Sequence, residues 1–239
     1  MEDFKEYKEV IKDTLDEILE ACPAMSEKFY LGGTTPVSVL YLKHAISLDL
    51  DIHTQGALEP TTQEAKDLKA HFGKRLEWFE ADPEFGIFRG TIKTGHSEKG
   101  KPIFVEIDVF SNFEDVEKDH IEKTSFSRMP TLTLKGYLAT KLGCLEERHE
   151  AKDLYHLYCL ARKPGWKEKV EAGLKSVDPL ELKLNQANFL KEWPEIKKSV
   201  RRTGGMTPLD ENDLLGWVKS LGAPKRKIRP CGEQTPGLP

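Results

Sequence analysis

Two aspartates, Asp49 and Asp51, lie two residues apart in a run that alternates polar and apolar side chains. In an extended strand, alternate side chains point to the same face, so both carboxylates should share one face. Two like charges at that distance repel, which pushes each carboxylate toward its protonated form. A divalent cation removes this cost, and Mg²⁺ combines few carboxylates with water and phosphate oxygens. The pair therefore predicts either a magnesium and nucleotide site or an exposed edge strand whose acids face water.

A third aspartate, Asp108, lies in a later strand-like run in which Ile107 and Val109 point to the opposite face. This pattern indicates a central strand, in which an acid needs a partner. If the strand lies beside that of the first two aspartates, three carboxylates converge, and such a set can hold metal ions for in-line phosphoryl transfer. Glu106 shares the face with Asp108 and is the competing candidate.

The sequence Gly32-Gly33-Thr34 stands between a short apolar run and a helix predicted over 36–45. Glycines at a strand-to-helix turn let a ligand approach the backbone closely. The free N–H groups of a following helix then favour an anion such as phosphate. The same residues are also compatible with an ordinary turn.

A lysine and an aspartate interrupt the apolar stripes of two successive predicted helices. Lys141 follows Leu134 and Leu138 and precedes Leu145 at helical spacing, so it belongs to the inward face. Asp153 occupies the corresponding face of the next helix. The two residues form either a buried salt bridge or part of a cleft in which the ammonium meets a triphosphate.

The elements that must position these side chains define an α+β protein. A helix is predicted over 3–21, a strand over 47–53, a helix over 62–79 and a hairpin of strands over 85–93 and 102–110. Beyond Pro130 the pattern is helical. The further helices are predicted over 133–146, 150–162, 166–174, 179–191 and 210–221. We therefore divide the chain into an α/β core (1–128), a helical domain that completes the site (129–222) and a basic, disordered tail (223–239).

Composition narrows the classes of protein that remain. The 239 residues carry a net charge of −4, are 38% hydrophobic and contain no apolar run of the ~20 residues that a membrane helix needs. The four cysteines show no metal-binding spacing, which favours free thiols and a cytoplasmic location. Residues 1–160 carry 20 basic and 30 acidic side chains, whereas residues 161–239 carry 16 and 10. The basic part is either a nucleic-acid surface or a set of solvated helix faces.

Taken together, four blocks resemble the polymerase-β-like nucleotidyltransferases, and within them the AbiEii-type toxins of abortive-infection and toxin–antitoxin systems. The blocks are FYLGGTT (29–35), SLDLD (47–51), FVEID (104–108) and the helical segment from Lys141-Leu142-Gly143 to Lys152-Asp153-Leu154-Tyr155 (141–155). Their order and spacing carry the resemblance, which spans residues 29–158. The implied fold is a nucleotidyltransferase core with a short mixed sheet, followed by a helical C-terminal domain.

The resemblance also implies a nucleotide-binding role for five residues. Gly32, Gly33 and Thr34 would hold the phosphates, with Ser47 beside them. Lys141 would contact the triphosphate.

For the metal, the resemblance implies that Asp49 and Asp51 bind Mg²⁺, with Mn²⁺ as the alternative ion. Asp108 would complete the metal site or accept the proton of the incoming hydroxyl. Asp153 would orient Lys141 or the groups around the metal.

Two positions depart from the family pattern. The family often has a basic residue where this chain has Ala45, just after Lys43 and His44. The family also often has an acid where this chain has His156. The first change could weaken phosphate binding or shift the substrate, whereas the metal-binding acids and Lys141 are present.

The predicted activity is transfer of a nucleoside monophosphate from an NTP to an acceptor hydroxyl, with release of pyrophosphate. The expected acceptor is an RNA 3′ end, most plausibly of tRNA, and the expected partners are the NTP, this RNA and a cognate antitoxin, without a membrane. The alternatives are modification of a protein or of a small molecule such as an aminoglycoside, and a non-catalytic nucleotide-binding module.

Overall fold

The computed structural model describes residues 4–57, 60–96, 100, 102–112, 115–202 and 209–221. The tail predicted over 223–239 lies outside these residues. No helix in the described ranges is long and apolar enough to cross a membrane.

Helices and strands alternate in the first half of the chain, and helices dominate the second. In chain order they are α1 (Phe4–Ala21), α2 (Met25–Lys28), β1 (Phe29–Leu31), α3 (Thr34–Val37), β2 (Asp49–Ala57), α4 (Thr62–Phe72), β3 (Leu76–Asp82), β4 (Ile87–His96), β5 (Pro102–Asn112), β6 (Ile121–Glu122), β7 (Thr131–Leu132), α5 (Leu134–Glu147), α6 (Ala151–Ala161), α7 (Lys167–Leu174), α8 (Pro179–Arg202) and α9 (Glu211–Ser220). A π-helical segment (Ser38–Leu42) continues α3. The α+β class with a helical C-terminal part is confirmed.

The strands form one mixed sheet in the order β3-β4-β5-β2-β1-β7-β6. The β2–β5 and β1–β7 pairs are parallel, and the other neighbours are antiparallel. The strand of Asp49 and Asp51 therefore lies directly beside the strand of Asp108, which is the condition under which the three carboxylates converge.

One face of the sheet is apolar because its strands alternate strictly. Leu50, Ile107 and Val109 are fully buried in a core that also contains the apolar side of α1 and residues of α4. A second apolar cluster holds α5 to α9 together around Tyr137, Leu157 and Phe189. The opposite sheet face, which carries the aspartates, is left to form the wall of a cleft.

The prediction of a helix over 62–79 is wrong for the second half of that range. The helix ends at Phe72 because Gly73 takes a left-handed φ of 53°, which terminates helices readily. Residues 76–82 form β3 and pair with β4, so Phe79 is 60% exposed and does not face the core. The aromatic residues here favour a strand once a neighbouring strand is available.

Other boundaries also differ from the prediction. The strand predicted over 47–53 is β2 at Asp49–Ala57, and the strand predicted over 85–93 is β4 at Ile87–His96. The helix predicted over 36–45 begins at Thr34 and ends at Leu42, where Lys43 takes a left-handed φ of 51°. Helix α8 runs through Pro194 to Arg202, well past the predicted end at 191. The rings of Phe189 and Trp193 are buried and stacked, with their centroids 5.3 Å apart. One residue precedes the predicted end at 191 and the other follows it, so their packing holds the helix together across that point.

Candidate active site

The aspartates occupy adjacent positions on two parallel strands. Asp51 lies opposite Asp108, and Asp49 lies opposite Glu106. Neighbouring strands are about 4.8 Å apart, so the three carboxylates belong to one patch on the open face of the sheet. In this register each acid of β5 stands opposite one aspartate of β2, so Glu106 lies beside Asp49 as Asp108 lies beside Asp51.

Burial and mutual repulsion perturb two of these acids. Burial raises the pKa of Asp108 to about 6, with Arg89 acting against the rise and Asp51 adding to it. Burial also raises the pKa of Asp51, and the charge of Asp49 contributes. Carboxylates that resist ionisation together are suited to a cation that neutralises them.

Backbone and hydroxyl contacts fix the strand that carries Asp49 and Asp51. The Ser47 hydroxyl donates to Oδ2 of Asp49 at 2.8 Å, and the Thr35 hydroxyl donates to the Asp49 carbonyl at 2.6 Å. The Gly32 N–H donates to the Asp51 carbonyl at 2.7 Å. Ser47 therefore contacts the predicted metal ligand directly.

The two glycines of the turn are required by packing. A Cβ on Gly33 would lie 1.7 Å from Oδ2 of Asp51, and one on Gly32 would lie 2.6 Å from Cδ2 of His53. Gly33 also has a φ of 66°, which other residues adopt only with strain. The turn thus brings the backbone against Asp51 and leaves Gly33 and Thr34 on the wall of the cleft.

Replacing Gly33 with alanine should therefore affect stability and activity together. We expect a loss of about 1–2 kcal/mol in the free energy of unfolding from the left-handed φ, and displacement of the Asp51 carboxylate by the new methyl group. Gly143→Ala is the matched control, because this glycine lies within α5 with nothing within 4 Å of an added Cβ. Chemical denaturation should show a gain of stability for the control. Equal stability of Gly33→Ala and the native protein would contradict this account of the turn.

On the helical side, Lys141 and Asp153 form the predicted ion pair. Nζ of Lys141 lies 2.7 Å from Oδ1 of Asp153, whose side chain is completely buried. Arg148 donates to the same carboxylate at 3.1 Å and 3.2 Å. Two cations share one acid, so the cluster retains a net positive charge.

The sheet and the helices enclose a cleft of about 910 Å³. One wall carries acids: Asp49, Asp51, Glu106 and Asp108. The opposite wall carries cations: Lys141, Arg148 and Lys152. Among the predicted site residues, Gly33, Thr34, Ser47, Asp49, Asp51, Asp108 and Lys141 line the cleft. Gly32 and Asp153 do not line the cleft but contact residues that do.

Sequence reasoning did not assign a role to two further residues of the cleft, Arg89 and His53. Nε of Arg89 lies 3.7 Å from Oδ1 of Asp108, opposite which it stands in the β4–β5 register. His53 lines the cleft beyond Asp51, stacks on Tyr30 and is bonded to Asn112 at 3.2 Å. The alternation of β2 and β4 could have indicated both positions, because each residue shares a face with an aspartate.

A histidine pair connects the two walls. Nε2 of His44, just before β2, lies 2.9 Å from Nδ1 of His156 in α6, and both rings are buried. The Tyr155 hydroxyl also donates to the His44 carbonyl at 2.8 Å. One departure from the family pattern, His156, therefore contacts the residue that directly precedes the other, Ala45.

Burial keeps this histidine pair neutral. It lowers the pKa of His44 to about 3, with Lys141 contributing, and lowers that of His156 well below its usual range, with Lys141, Arg148 and Lys152 contributing. In the unfolded chain, histidine titrates near pH 6.5.

The unfolded state therefore binds more protons below pH 6.5, and stability should fall as the pH decreases from 7 to 5. The expected loss is on the order of 2 kcal/mol for each histidine at pH 5. Urea denaturation of the native protein and of His44→Gln/His156→Gln would measure the difference in pH dependence. An equal dependence in both proteins would show that the rings are not held neutral.

The acid wall fits a divalent metal by its chemistry, since carboxylate oxygens are the ligands that Mg²⁺ prefers. Asp49, Asp51 and Asp108 are more widely spaced than a preformed metal site, so a shared ion requires side-chain rotation. Over the described ranges, the group whose ligand atoms all lie within 4.8 Å is Glu117, Asp119 and His120.

That second group lies on the surface and away from the cleft lining. Lys135 forms ion pairs with both Glu117 and Asp119.

No family model matches the chain, and no curated protein does. The chain is similar to several solved structures, of which three are described here. JHP933 from Helicobacter pylori is 13% identical at a TM-score of 0.48, over 88% of each chain. An H. pylori protein provisionally assigned as a nucleotidyltransferase is 15% identical at 0.46, over 88% of this chain and 90% of that one. MenT4, a nucleotidyltransferase toxin from Mycobacterium tuberculosis, is 16% identical at 0.42, over 87% of this chain and 70% of that one. TM-scores and sequence identities this low do not support an assignment of activity. Any such assignment therefore has to rest on the geometry of the cleft.

Proposed function

We propose that this chain is an AbiEii-type nucleotidyltransferase that moves a nucleoside monophosphate from an NTP to an acceptor hydroxyl. The observation that supports it best is the division of one cleft into an acidic and a basic wall. A nucleoside triphosphate with its metal ion has the complementary arrangement, because the ion requires carboxylates and the phosphates require cations.

Each wall has a distinct task in this proposal. Asp49, Asp51 and Asp108 would hold Mg²⁺, which when bound neutralises phosphate charge and orients the α-phosphate. Lys141 contacts the triphosphate and is held in place by Asp153, which is itself held by Arg148. Most of the rate enhancement then comes from positioning and from preorganised charge.

In the reaction, the acceptor oxygen forms a bond to the α-phosphorus while the bond from that phosphorus to the bridging oxygen of the β-phosphate breaks. Pyrophosphate leaves. The hydroxyl proton passes to Asp108, through the carboxylate oxygen that does not hold the metal.

The proposed acceptor is an RNA 3′ end, with tRNA as the leading case, and growth inhibition would then follow from blocked aminoacylation. Support comes from α8, whose residues Glu195 and Ile196 line the cleft. Lys197 and Lys198 follow directly in the same helix, so two lysines stand next to residues of the cleft. Lys197 is paired with Glu211 and Lys198 with Glu195, at 2.6 Å in the second case.

A small cationic acceptor such as an aminoglycoside is the second candidate. The observation in its favour is that Glu106 and Asp49 are exposed on the acid wall. Incubating the protein with Mg²⁺, each labelled NTP and either total RNA or aminoglycosides would distinguish the two acceptors. Label in RNA supports the first, and label in the small molecule supports the second.

If RNA is the acceptor, Lys197→Ala/Lys198→Ala should weaken RNA use far more than NTP binding. RNA affinity should also fall steeply with salt, because phosphate contacts release counterions. The matched control is Lys66→Ala/Lys69→Ala, two exposed lysines on α4, behind the sheet. Transfer to tRNA at two salt concentrations would be measured beside NTP binding. Transfer that is unchanged and insensitive to salt would favour the small-molecule or protein acceptor.

The same cluster in the sequence includes Arg201 and Arg202, whose side chains lie outside the described part of the structure.

An association with an antitoxin protein remains part of the proposal. Co-expression with the neighbouring gene product, followed by purification, would test it.

A further inference from the structure

The histidine pair leaves one nitrogen free to contact a ligand. His44 is 2% exposed, and its Nδ1 is buried without a hydrogen-bond partner. Its Nε2 is taken by Nδ1 of His156. His156 lines the cleft. Within the described ranges, no residue forms a hydrogen bond with its Nε2, and this atom is not one of the fully buried polar atoms that lack a partner.

These contacts determine which nitrogens carry protons. A neutral imidazole has one N–H donor and one acceptor. A buried N–H without an acceptor is rarer and more costly than an acceptor without a donor. Nδ1 of His44 should therefore be the bare acceptor, which puts the proton of His44 on Nε2. His44 then donates to Nδ1 of His156, and His156 must carry its own proton on Nε2.

We propose that His156 is a nucleotide-binding residue whose Nε2–H donates to a phosphoryl oxygen of the bound triphosphate, and that His44 is the positioning residue that fixes this tautomer. The inference rests on the nucleotidyltransferase function proposed above. It gives the chain a neutral donor at the position where the family often has an acid.

The surroundings of His156 favour an anionic oxygen over other acceptors. Lys141, Arg148 and Lys152 are the charged groups that act on this ring, and all three are cations. Two of its aromatic neighbours, Tyr137 and Tyr155, hold the ring edge-on and tilted. The ring thus has a fixed direction in a positive environment, which suits a phosphate.

The tautomer can be measured without turnover. In the native protein labelled with ¹⁵N-histidine, long-range ¹H–¹⁵N correlation should show His156 as a neutral ring protonated on Nε2. In His44→Phe the donor to Nδ1 is lost, and a mixture of tautomers should appear. A native His156 protonated on Nδ1 would overturn the proposal.

Binding variants test the contact itself. His156→Gln places an amide N–H near the original position of Nε2. His156→Asn places one near Nδ1 instead, and so leaves no donor at the position of Nε2. Binding of inorganic tripolyphosphate and of each NTP with Mg²⁺ would be measured by calorimetry, with thermal melting to confirm folding. We expect His156→Asn to weaken both ligands on the order of 10- to 100-fold, as for loss of a hydrogen bond to a charged group, and His156→Gln to retain most of the affinity.

The outcomes separate this inference from the proposed function. Loss of NTP affinity with unchanged tripolyphosphate affinity would place the contact on the nucleoside and overturn the phosphoryl assignment. Unchanged affinity for both ligands in a folded His156→Asn variant would overturn the inference and leave the proposed function intact. Failure of the native protein to bind any NTP would overturn both.

Discussion

Asp51→Asn should abolish nucleotide transfer, with a loss of at least about 10³-fold, while the protein stays folded. Asp51 lies opposite Asp108 in the β2–β5 register and is the aspartate against which Gly33 packs. Its pKa is raised by burial, so its charge costs stability when no cation is near. Asparagine removes that charge at nearly constant volume, and the melting temperature without Mg²⁺ should stay level or rise. We expect Asp49→Asn and Asp108→Asn to lose transfer as well.

Glu106→Gln is the matched control for these variants. Glu106 lies on the same strand and face as Asp108 but opposite Asp49 and more exposed. Its replacement should leave transfer within a few-fold of the native rate. A large fall in metal-free stability for Asp51→Asn, with transfer retained, would show that the acids are structural.

Lys141→Met should reduce transfer by a factor on the order of 10²–10³, as for removal of one preorganised electrostatic contact. Methionine keeps the apolar volume of the lysine stem within the core. Stability should change little, because Arg148 still donates to Asp153 after Lys141 is gone. Transfer and chemical denaturation would be measured on the same preparation. Lys135→Met, an exposed lysine on the same helix, is the control.

The competing account treats Lys141 and Asp153 as a structural pair only. Removing the lysine would then leave transfer unchanged, and any loss of stability would come from Asp153 losing one of its two cationic partners. Adding Asp153→Leu should restore that stability. This result, with transfer unaffected by Lys141→Met, would contradict the role of the lysine in the reaction.

The acid wall could be predicted from the sequence because it depends on strand period alone. Alternation in β2 places Asp49 and Asp51 on one face of that strand, and alternation in β5 places Asp108 opposite the apolar face of its own strand. The inward position of Lys141 follows from helical period in the same way. The sequence did not determine which strands pair. The structure shows that β2 and β5 are parallel neighbours.

The features that were missed depend on contacts between distant segments. The strand β3 is stable because it pairs with β4, whereas its own sequence continues the helical stripe of α4. His44 and His156 are separated by more than a hundred residues, and neither has a local signal that indicates the other. Gly33 shows a preference for a turn in the sequence, but only the folded chain shows that Asp51 fills the space beside it.

The central claim is that the cleft transfers the nucleotidyl group, and the position of a radioactive label tests it most directly. The protein, Mg²⁺ and total RNA would be incubated in parallel with NTPs labelled at the α-phosphate or at the γ-phosphate, with Asp51→Asn as the inactive control. The account predicts label on an acceptor from the α-position only, release of labelled pyrophosphate from the γ-position, and no label with Asp51→Asn. Transfer of the γ-label, or α-label transfer that persists in Asp51→Asn, would contradict it.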